Sequence, residues 1–452
     1  MVAVNHTELK PGDICPSCSA GGCQGKLYRV DPGIVIQLHG HSIITGKKYE
    51  IETLRCNLCG ERFSPPPPKE LGDGKKYTPS ARAAIAIGRY HLALPWKRIE
   101  NYQALQNVPV PDASQWDQMV VLYHQVEPVY RLLEDLSSEG NLITYDDTMN
   151  RILYPTLINT DVISQIKAIN DYQALLSESP KNSSQKAYTT AIISVVDSRP
   201  IHLFYTSQEC ANKKVERLLE QRESDEVCVT MSDASRVNYP TQVPEDLLAR
   251  WVICFCLVHG RRKFYELYDF FPKEVDFVLE QIAKVYQHEA YCQKQQFSSE
   301  DRLKYHQEHS GPEMQALFIW LNNQLLYQQV EPNSGLGKAI RYMLRYWNKL
   351  TRFLHCAGAP LDNSWCERAI KIVIRHRRNS LFFRTPAGAV VGDCLMSLIY
   401  TAVRNNNNPF EYLVILQQYA KEVRKDPSQW LPWNYKAALL LQQSPEETVK
   451  AA

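Results

Sequence analysis

Asp362-Asn363-Ser364-Trp365-Cys366-Glu367-Arg368 opens a stretch that continues through Lys371, Arg375, Arg377 and Arg378 to Asn379 and Phe382. At 3.6 residues per turn, Cys366, Ala369, Ile370 and Val373 share one side of a helix. Glu367, Lys371, Arg375 and Arg378 share another. A lone carboxylate at the head of a basic face has two readings. The plain one is a surface salt bridge from Glu367 to Lys371, worth a few tenths of a kcal/mol. The sharper one is a metal-binding carboxylate beside a surface that holds phosphates. The remainder of the chain decides between them.

The chain has 452 residues, 44% hydrophobic and 22% charged, with a formal net charge of +2. This is the composition of an ordinary globular protein with room for two or three domains. Binding to nucleic acid must then come from local basic patches, since overall polarity is weak. No uninterrupted apolar run approaches a membrane span, and Met1–Pro11 lacks a signal core, so no membrane partner is expected and the cytoplasm is the default location. Most of the 13 cysteines are scattered through apolar segments, as in a reducing compartment.

Four cysteines are not scattered. Cys15-Pro-Ser-Cys18 and Cys56-Asn-Leu-Cys59 are two CxxC pairs, the spacing that closes a tetrahedral site around one structural Zn²⁺. The segment between them contains β-branched stretches at Ile34–Leu38 and Lys48–Leu54 that read as strands. Cys23 is a spare thiol that could compete as a ligand. Pro65–Pro68 is a stiff spacer. From Thr78 the pattern turns helical, with Ser80 capping Ala81–Leu92, Pro95 opening Trp96–Leu105 and Asp112 capping a longer helix. Short helices with tight turns fit either a helix-turn-helix or a connector packed on the main domain.

Asn141–Tyr154 alternates as a strand and carries Asp146 and Asp147. Tyr188–Val196 and Ile201–Tyr205 follow as strands, then a helix at Lys213–Gln221, a strand Val227–Met231 ending at Asp233, and an apolar run Trp251–Val258 of strand length. Three strands before the first helix, with acids on the first and fourth, is the layout of a ribonuclease H-like α/β core. Gly260–Leu354 reads as helical. Its last helix, Lys338–His355, lines Lys338, Arg341, Arg345, Lys349 and Arg352 along one face with no acid among them. Such a face is either solvated or set against a polyanion such as DNA. Ala389–Asn405 is an apolar helix, Phe410–Val423 a final one, and Ser444–Ala452 a polar tail.

Asp146, Asp233 and Glu367 come from three distant parts of the chain. Carboxylates hold hard divalent ions, and two such ions can clamp the attacking and leaving oxygens of a phosphoryl displacement. Crowded acids without metal repel, and some stay protonated.

With these residues in view, the chain resembles the insertion-sequence-66 family of bacterial transposases from Cys15 to Leu413. Tyr145-Asp146-Asp147-Thr148 is similar to the family's first-acid strand and Ser232-Asp233-Ala234 to its second-acid turn. Cys256-Leu-Val-His259-Gly-Arg261-Arg262-Lys263-Phe264 matches its cysteine–histidine and basic signature. Asp362-Asn363 with Glu367-Arg368-Ala369 matches the third-acid motif, and Arg377-Arg378-Asn379-Ser380-Leu381-Phe382 the segment after it. Ser364, Trp365 and Cys366 depart from the family pattern. Only Met1–Ile14 precede the zinc segment, where relatives tend to carry a longer coiled-coil-like stretch.

The resemblance implies an Asp-Asp-Glu transposase that binds element ends, cuts them with two Mg²⁺ or Mn²⁺ ions and joins 3′-OH ends to target DNA. Asp146, Asp233 and Glu367 would be catalytic. Arg368, Lys371, Arg375, Arg377 and Arg378 would contact DNA, with the Lys338–Arg352 stripe beside them. Asp147, Cys256, His259, Arg261, Arg262 and Asn363 would support the acids. The expected division is a zinc segment 1–64, a linker 65–77, a helical region 78–139, core 140–259, a helical insertion 260–355, core completion 356–425 and a tail 426–452. Double-stranded DNA, a homodimer on DNA and accessory proteins of the same element are the expected partners, with work at the nucleoid. Two rivals remain: a catalytically inactive zinc-containing DNA-binding protein, and a ribonuclease H-like nuclease without strand transfer.

Overall fold

A computed structural model describes residues 9–15, 26–28, 42–55, 57, 62–66, 76–153, 186–235 and 238–443. The chain forms two compact units, Met1–Ser42 and Ile43–Ala452. In the first, Ile14 bridges Lys26 in antiparallel fashion and Cys15 is half-buried. Cys18, Cys23, Cys56, Cys59, the expected strand Ile34–Leu38 and the polar tail lie outside the described residues. In the second unit, β1 (Leu54–Arg55) pairs antiparallel with β2 (Arg62–Phe63). The expected strand Lys48–Leu54 is corrected to that short piece, because Lys48–Thr53 pairs with no strand among the described residues.

Three helices follow. α1 (Pro79–Ala86) is capped by Thr78, not Ser80: Thr78 Oγ1 accepts from Ala81 N–H at 3.2 Å, and Pro79 fills the first position where an N–H would be orphaned. A π-helical turn at Ile87–His91 ends it. α2 (Trp96–Leu105) starts after Pro95, as its spacing predicts. α3 (Asp112–Ser138) is the longest. Ile85, Tyr90, Met119, Leu122 and Val126 from this region share one hydrophobic core with Leu395, Ile399 and Leu413 from the far end of the chain.

The sheet is mixed and five-stranded, ordered β5-β4-β3-β6-β7. β3 (Leu142–Arg151), β4 (Lys186–Val196) and β5 (Arg199–Ser207) form an antiparallel meander. Its second turn is tight, with Asp197 and Ser198 both at positive φ (48° and 63°), the twist that two-residue hairpins need. α4 (Ala211–Glu220) crosses over to β6 (Cys228–Ser232), which runs parallel to β3. β7 (Trp251–Phe255) runs parallel to β6.

The apolar run Trp251–Val258 is not all strand. It leaves the sheet at Phe255, and Cys256 caps α5 (Leu257–Tyr265). α6 (Pro272–Lys294), α7 (Gly311–Leu326) and α8 (Gly335–Leu350) then bury Val275, Val278, Ile282, Leu317, Leu321, Ile340 and Met343 in a core of their own. α8 starts earlier and ends sooner than Lys338–His355. Ser334 Oγ accepts the Gly337 N–H at 3.0 Å and starts it, while Arg352 falls in a separate 3-10 turn, Arg352–Leu354.

The chain returns to the sheet as α9 (Ser364–Ser380), which buries Cys366, Ala369, Ile370, Val373 and His376, the side its periodicity marks. α10 (Pro386–Arg404) lies on the edge strand β5. Edge strands expose unpaired N–H groups, and α10 satisfies them with a polar side chain every four residues. Asp393 Oδ2 accepts from Thr206 N–H at 2.6 Å, Ser397 Oγ from Phe204 N–H at 3.0 Å, and Thr401 Oγ1 from His202 N–H at 3.0 Å. α10 is long and apolar enough to cross a membrane by length and composition, but 83% of its apolar window is buried inside the protein, so it is a core helix. α11 (Pro409–Gln418) and the short helices Ala420–Lys425 and Tyr435–Gln443 complete the described chain.

Candidate active site

Strand pairing sets two acids side by side. In the parallel β3–β6 pair, Thr144 stands opposite Met231. Asp146 and Asp233 each lie two residues further along, Asp146 midway along β3 and Asp233 just past the carboxyl end of β6. β7 ends alongside at Phe255, paired with Ser232, and hands the chain to Cys256. Thus β3, β6 and β7 deliver Asp146, Asp233 and Cys256 to one edge.

α9 brings the third acid. Asn363, just before it, donates from Nδ2 to the Tyr145 carbonyl at 2.9 Å, and Leu257 N–H donates to the Leu361 carbonyl at 3.0 Å. One turn in, the Cys366 thiol donates to the Ala191 carbonyl at 3.2 Å, and Ala191 is the β4 partner of Asp146. The residue next to Glu367 is therefore anchored over Asp146. Burial, followed by the nearby charges of Asp233, Glu367 and Asp147, pushes the Asp146 carboxyl up to about 7, against a lowering hydrogen bond from the Asp147 N–H. Among the described residues no lysine or arginine pairs with Asp146, Asp233 or Glu367; Glu367 Oε1 has His259 Nδ1 at 3.7 Å and Cys256 Sγ at 3.9 Å. Asp233 Oδ1 accepts from Ser235 N–H at 3.1 Å and from the Asn238 amide.

Asp147 points the other way, as alternation along a strand requires. Its Oδ2 accepts the Ala211 N–H at 2.8 Å and so caps α4, near the buried Lys214 ammonium. Burial raises its carboxyl as well. The Cys256 Sγ and His259 Nδ1 converge on Glu367 Oε1, and Asn363 N–H donates to Cys256 Sγ at 3.4 Å.

The basic residues divide. Arg368, Lys371, Arg375 and Arg378 are exposed along α9, and Lys338, Arg341 and Arg345 along α8. Lys349 is instead half-buried, with its ammonium 4.4 Å from the Tyr239 ring centroid and 5.0 Å from that of Phe255. Arg352 is half-buried too, and its Nε is buried without a partner. Arg377 turns inward and donates to the Met149 carbonyl and, at 3.3 Å, to Thr148 Oγ1, tying α9 to β3. Arg262 is exposed, while Arg261 lies half-buried over the Tyr265 ring.

Three contributors escape sequence reasoning. Asn238 orients Asp233 from a loop that carries no pattern. Tyr342, on α8, lies near both Asp233 and Cys256, and burial raises its phenol well above the ordinary value. Gly260 lets α5 and α8 touch: a Cβ there would stand 2.6 Å from Met343 Sδ. The pairing of a glycine with His259 in the sequence was its only signal.

The fold defines a mixed α/β protein with acids on two neighbouring parallel strands and on the helix α9, none of them paired with a lysine or arginine among the described residues. The model of the family described as "Transposase IS66 family" matches residues 74–391, more than half of the chain, and the chain belongs to that family. The "Uncharacterized protein y4jD" of Sinorhizobium fredii (strain NBRC 101917 / NGR234) is 33% identical over 190 residues, 41% of this chain and 36% of the relative. The "Uncharacterized protein y4hP" of the same strain is 29% identical over 222 residues, 46% of this chain and 40% of the relative. The matched stretches thus span well under half the length of these curated relatives. No solved structure matches the chain.

Proposed function

We propose that this transposase-family protein cuts and joins DNA at the ends of its own element, using Asp146, Asp233 and Glu367. The observation that carries this reading is the crowding of these three acids: Asp146 is pushed up to about 7 by burial and by neighbouring carboxylates, with no lysine or arginine paired to any of the three among the described residues. Uncompensated hard oxygen donors fit Mg²⁺ or Mn²⁺. The sheet order, with β4 antiparallel and β6 and β7 parallel to β3, supports a ribonuclease H-like core, with residues 260–355 as its helical insertion.

Asp146, Asp233 and Glu367 would hold two divalent ions, which when bound supply charge neutralisation and an activated oxygen for in-line phosphoryl displacement. The protein's own part is positioning. Asn363 and Cys366 fix α9 on the sheet, which keeps the charge of Glu367 near Asp146. Asn238 turns Asp233. The exposed Arg368, Lys371, Arg375 and Arg378 would bind the phosphates beside the cut, with Lys338, Arg341 and Arg345 further out. Arg377 has a structural task in this reading, and Lys349 a smaller share of the DNA. One structural Zn²⁺ is assigned to Cys15, Cys18, Cys56 and Cys59 on the sequence spacing of the two CxxC pairs alone. The same reading includes the division into zinc segment, linker, helical region, core, insertion and completion, with Trp430, Leu431 and Tyr435 of the expected tail packed into the main core, and with it a homodimer on DNA, accessory proteins of the same element and cytoplasmic work at the nucleoid.

The test is Mg²⁺-dependent cleavage of duplex DNA carrying the element ends, followed by joining of a pre-cut 3′-OH end. Wild type should do both. Glu367→Gln should lose both while still binding DNA. Full cleavage by Glu367→Gln overturns the catalytic assignment, and cleavage without joining by wild type favours a nuclease.

A further inference from the structure

Cys256, His259 and Glu367 form a cluster that the two-ion reading does not use in full. Cys256 is buried, and its Sγ stands 3.9 Å from Glu367 Oε1. His259 Nδ1 stands 3.7 Å from the same oxygen. All three ligand atoms lie within 4.8 Å of one another. These separations are long for hydrogen bonds to a carboxylate. They are close to those of donors on one tetrahedral ion: bonds of about 2.3 Å to sulfur and about 2.0–2.1 Å to nitrogen or oxygen put ligand atoms roughly 3.5 Å apart.

Two further observations point to a ligand. His259 Nδ1 is buried with no hydrogen-bond partner, and buried polar atoms are rarely left so. The Cys256 sulfur lies at the head of α5 and accepts the Asn363 N–H at 3.4 Å. A divalent ion would displace the thiol proton, and that N–H would then face a thiolate.

We propose that Cys256 Sγ, His259 Nδ1 and Glu367 Oε1 bind one borderline-soft divalent ion, of the Zn²⁺ or Co²⁺ type, distinct in donor chemistry from the all-carboxylate site. A thiolate and an imidazole select such ions over Mg²⁺. Three protein ligands leave a fourth position open. The ion would pin the first turn of α9 and offset one of the charges that press on Asp146. The second oxygen of Glu367 remains for the neighbouring acids. The metal site stands on its own geometry; only its effect on the acids rests on the catalytic reading.

Co²⁺ titration of the full-length protein, stripped with chelator, tests it. Bound Co²⁺ gives a sulfur-to-metal charge-transfer band when a thiolate is a ligand. Wild type should bind one more Co²⁺ per chain than Cys256→Ser and show a stronger band. His259→Ala, at a half-exposed position, should weaken that ion's binding at least tenfold and serves if Cys256→Ser does not fold. The cysteines of the zinc segment contribute equally to wild type and variants, so the difference isolates this site. Asp146→Asn should keep the extra ion and its band even where it loses cleavage. Identical Co²⁺ stoichiometry and spectra in wild type, Cys256→Ser and His259→Ala would overturn the metal site and leave the catalytic reading untouched. An extra ion in wild type together with unimpaired cleavage by Glu367→Gln would uphold the site and overturn that reading instead.

Discussion

Asp146 and Asp147 are neighbours in the chain and opposites in circumstance. On the Asp147 face of the sheet, the described acids have partners: Asp147 caps α4 near Lys214, and the buried Asp393 takes both the N–H and the hydroxyl of Thr206. On the Asp146 face, the charges of Asp233 and Glu367 press on Asp146, and no lysine or arginine pairs with the three among the described residues. The contrast separates structural charge from working charge. Burial raises Asp147 and Asp393 as well, but there hydrogen-bond donors and the Lys214 ammonium work against the rise. A crowd that the fold leaves uncompensated costs stability, and is explained by something that arrives later.

The sharpest way to break this contrast is to exchange the fates of the two aspartates. Asp146→Asn should lower Mg²⁺-dependent DNA cleavage by at least about two orders of magnitude, whereas Asp147→Asn should lower it far less. Equal losses measured on the same end-containing DNA would erase the distinction. Next in size is Asp393→Ala. It strips two hydrogen bonds from Thr206 inside the core and should cost about 3 kcal/mol in urea unfolding. A loss under about 1 kcal/mol would mean that α10 is held to β5 by its apolar contacts alone.

The pH dependence should differ in sign from that of an ordinary salt-bridged acid. Asp146 is raised in the folded state, to about 7, so the folded protein holds its proton more tightly than the unfolded chain does. Its unfavourable charge therefore appears as pH rises from about 4 through about 7 and is fully present above that. In metal-free protein at about pH 8, Asp146→Asn should raise stability by about 1–2 kcal/mol. The stabilisation that Mn²⁺ gives to wild type should grow over the same window, as read by thermal melting across pH. A Mn²⁺ effect that is flat with pH, or a destabilised Asp146→Asn, would contradict the crowding. The smallest effect belongs to Asp147→Asn. Removing its charge weakens the bond to the Ala211 N–H but also relieves the burial that raises this carboxyl, so stability in the same unfolding measurement should change by less than about 1 kcal/mol.

Much of the sheet was legible in the sequence because β-branched alternation marks β3, β4, β5 and β6, and because 3.6-residue spacing marks the buried side of α9. The three acids stood out as carboxylates at two strand positions and at a helix head. Elsewhere the signal was weak for physical reasons. A continuous apolar run has no period, so nothing in Trp251–Val258 announces that the strand stops and α5 begins. Gly335 and Gly337 hide the start of α8, since glycine argues against helix until Ser334 is seen as its cap. Asp393, Ser397 and Thr401 look incidental in an apolar helix, and only the N–H groups of β5 explain their four-residue spacing. Arg377 shares its sequence surroundings with Arg378, yet one grips β3 and the other faces solvent. A repeating charge pattern cannot distinguish those two outcomes.

The central claim is that Asp146, Asp233 and Glu367 share one site for divalent cations. Anomalous diffraction from a crystal of the full-length protein soaked in Mn²⁺ examines it directly. The account predicts a manganese peak in contact with the carboxylates of Asp146 and Asp233 and within reach of Glu367. A crystal that holds manganese elsewhere but none between these acids would contradict it.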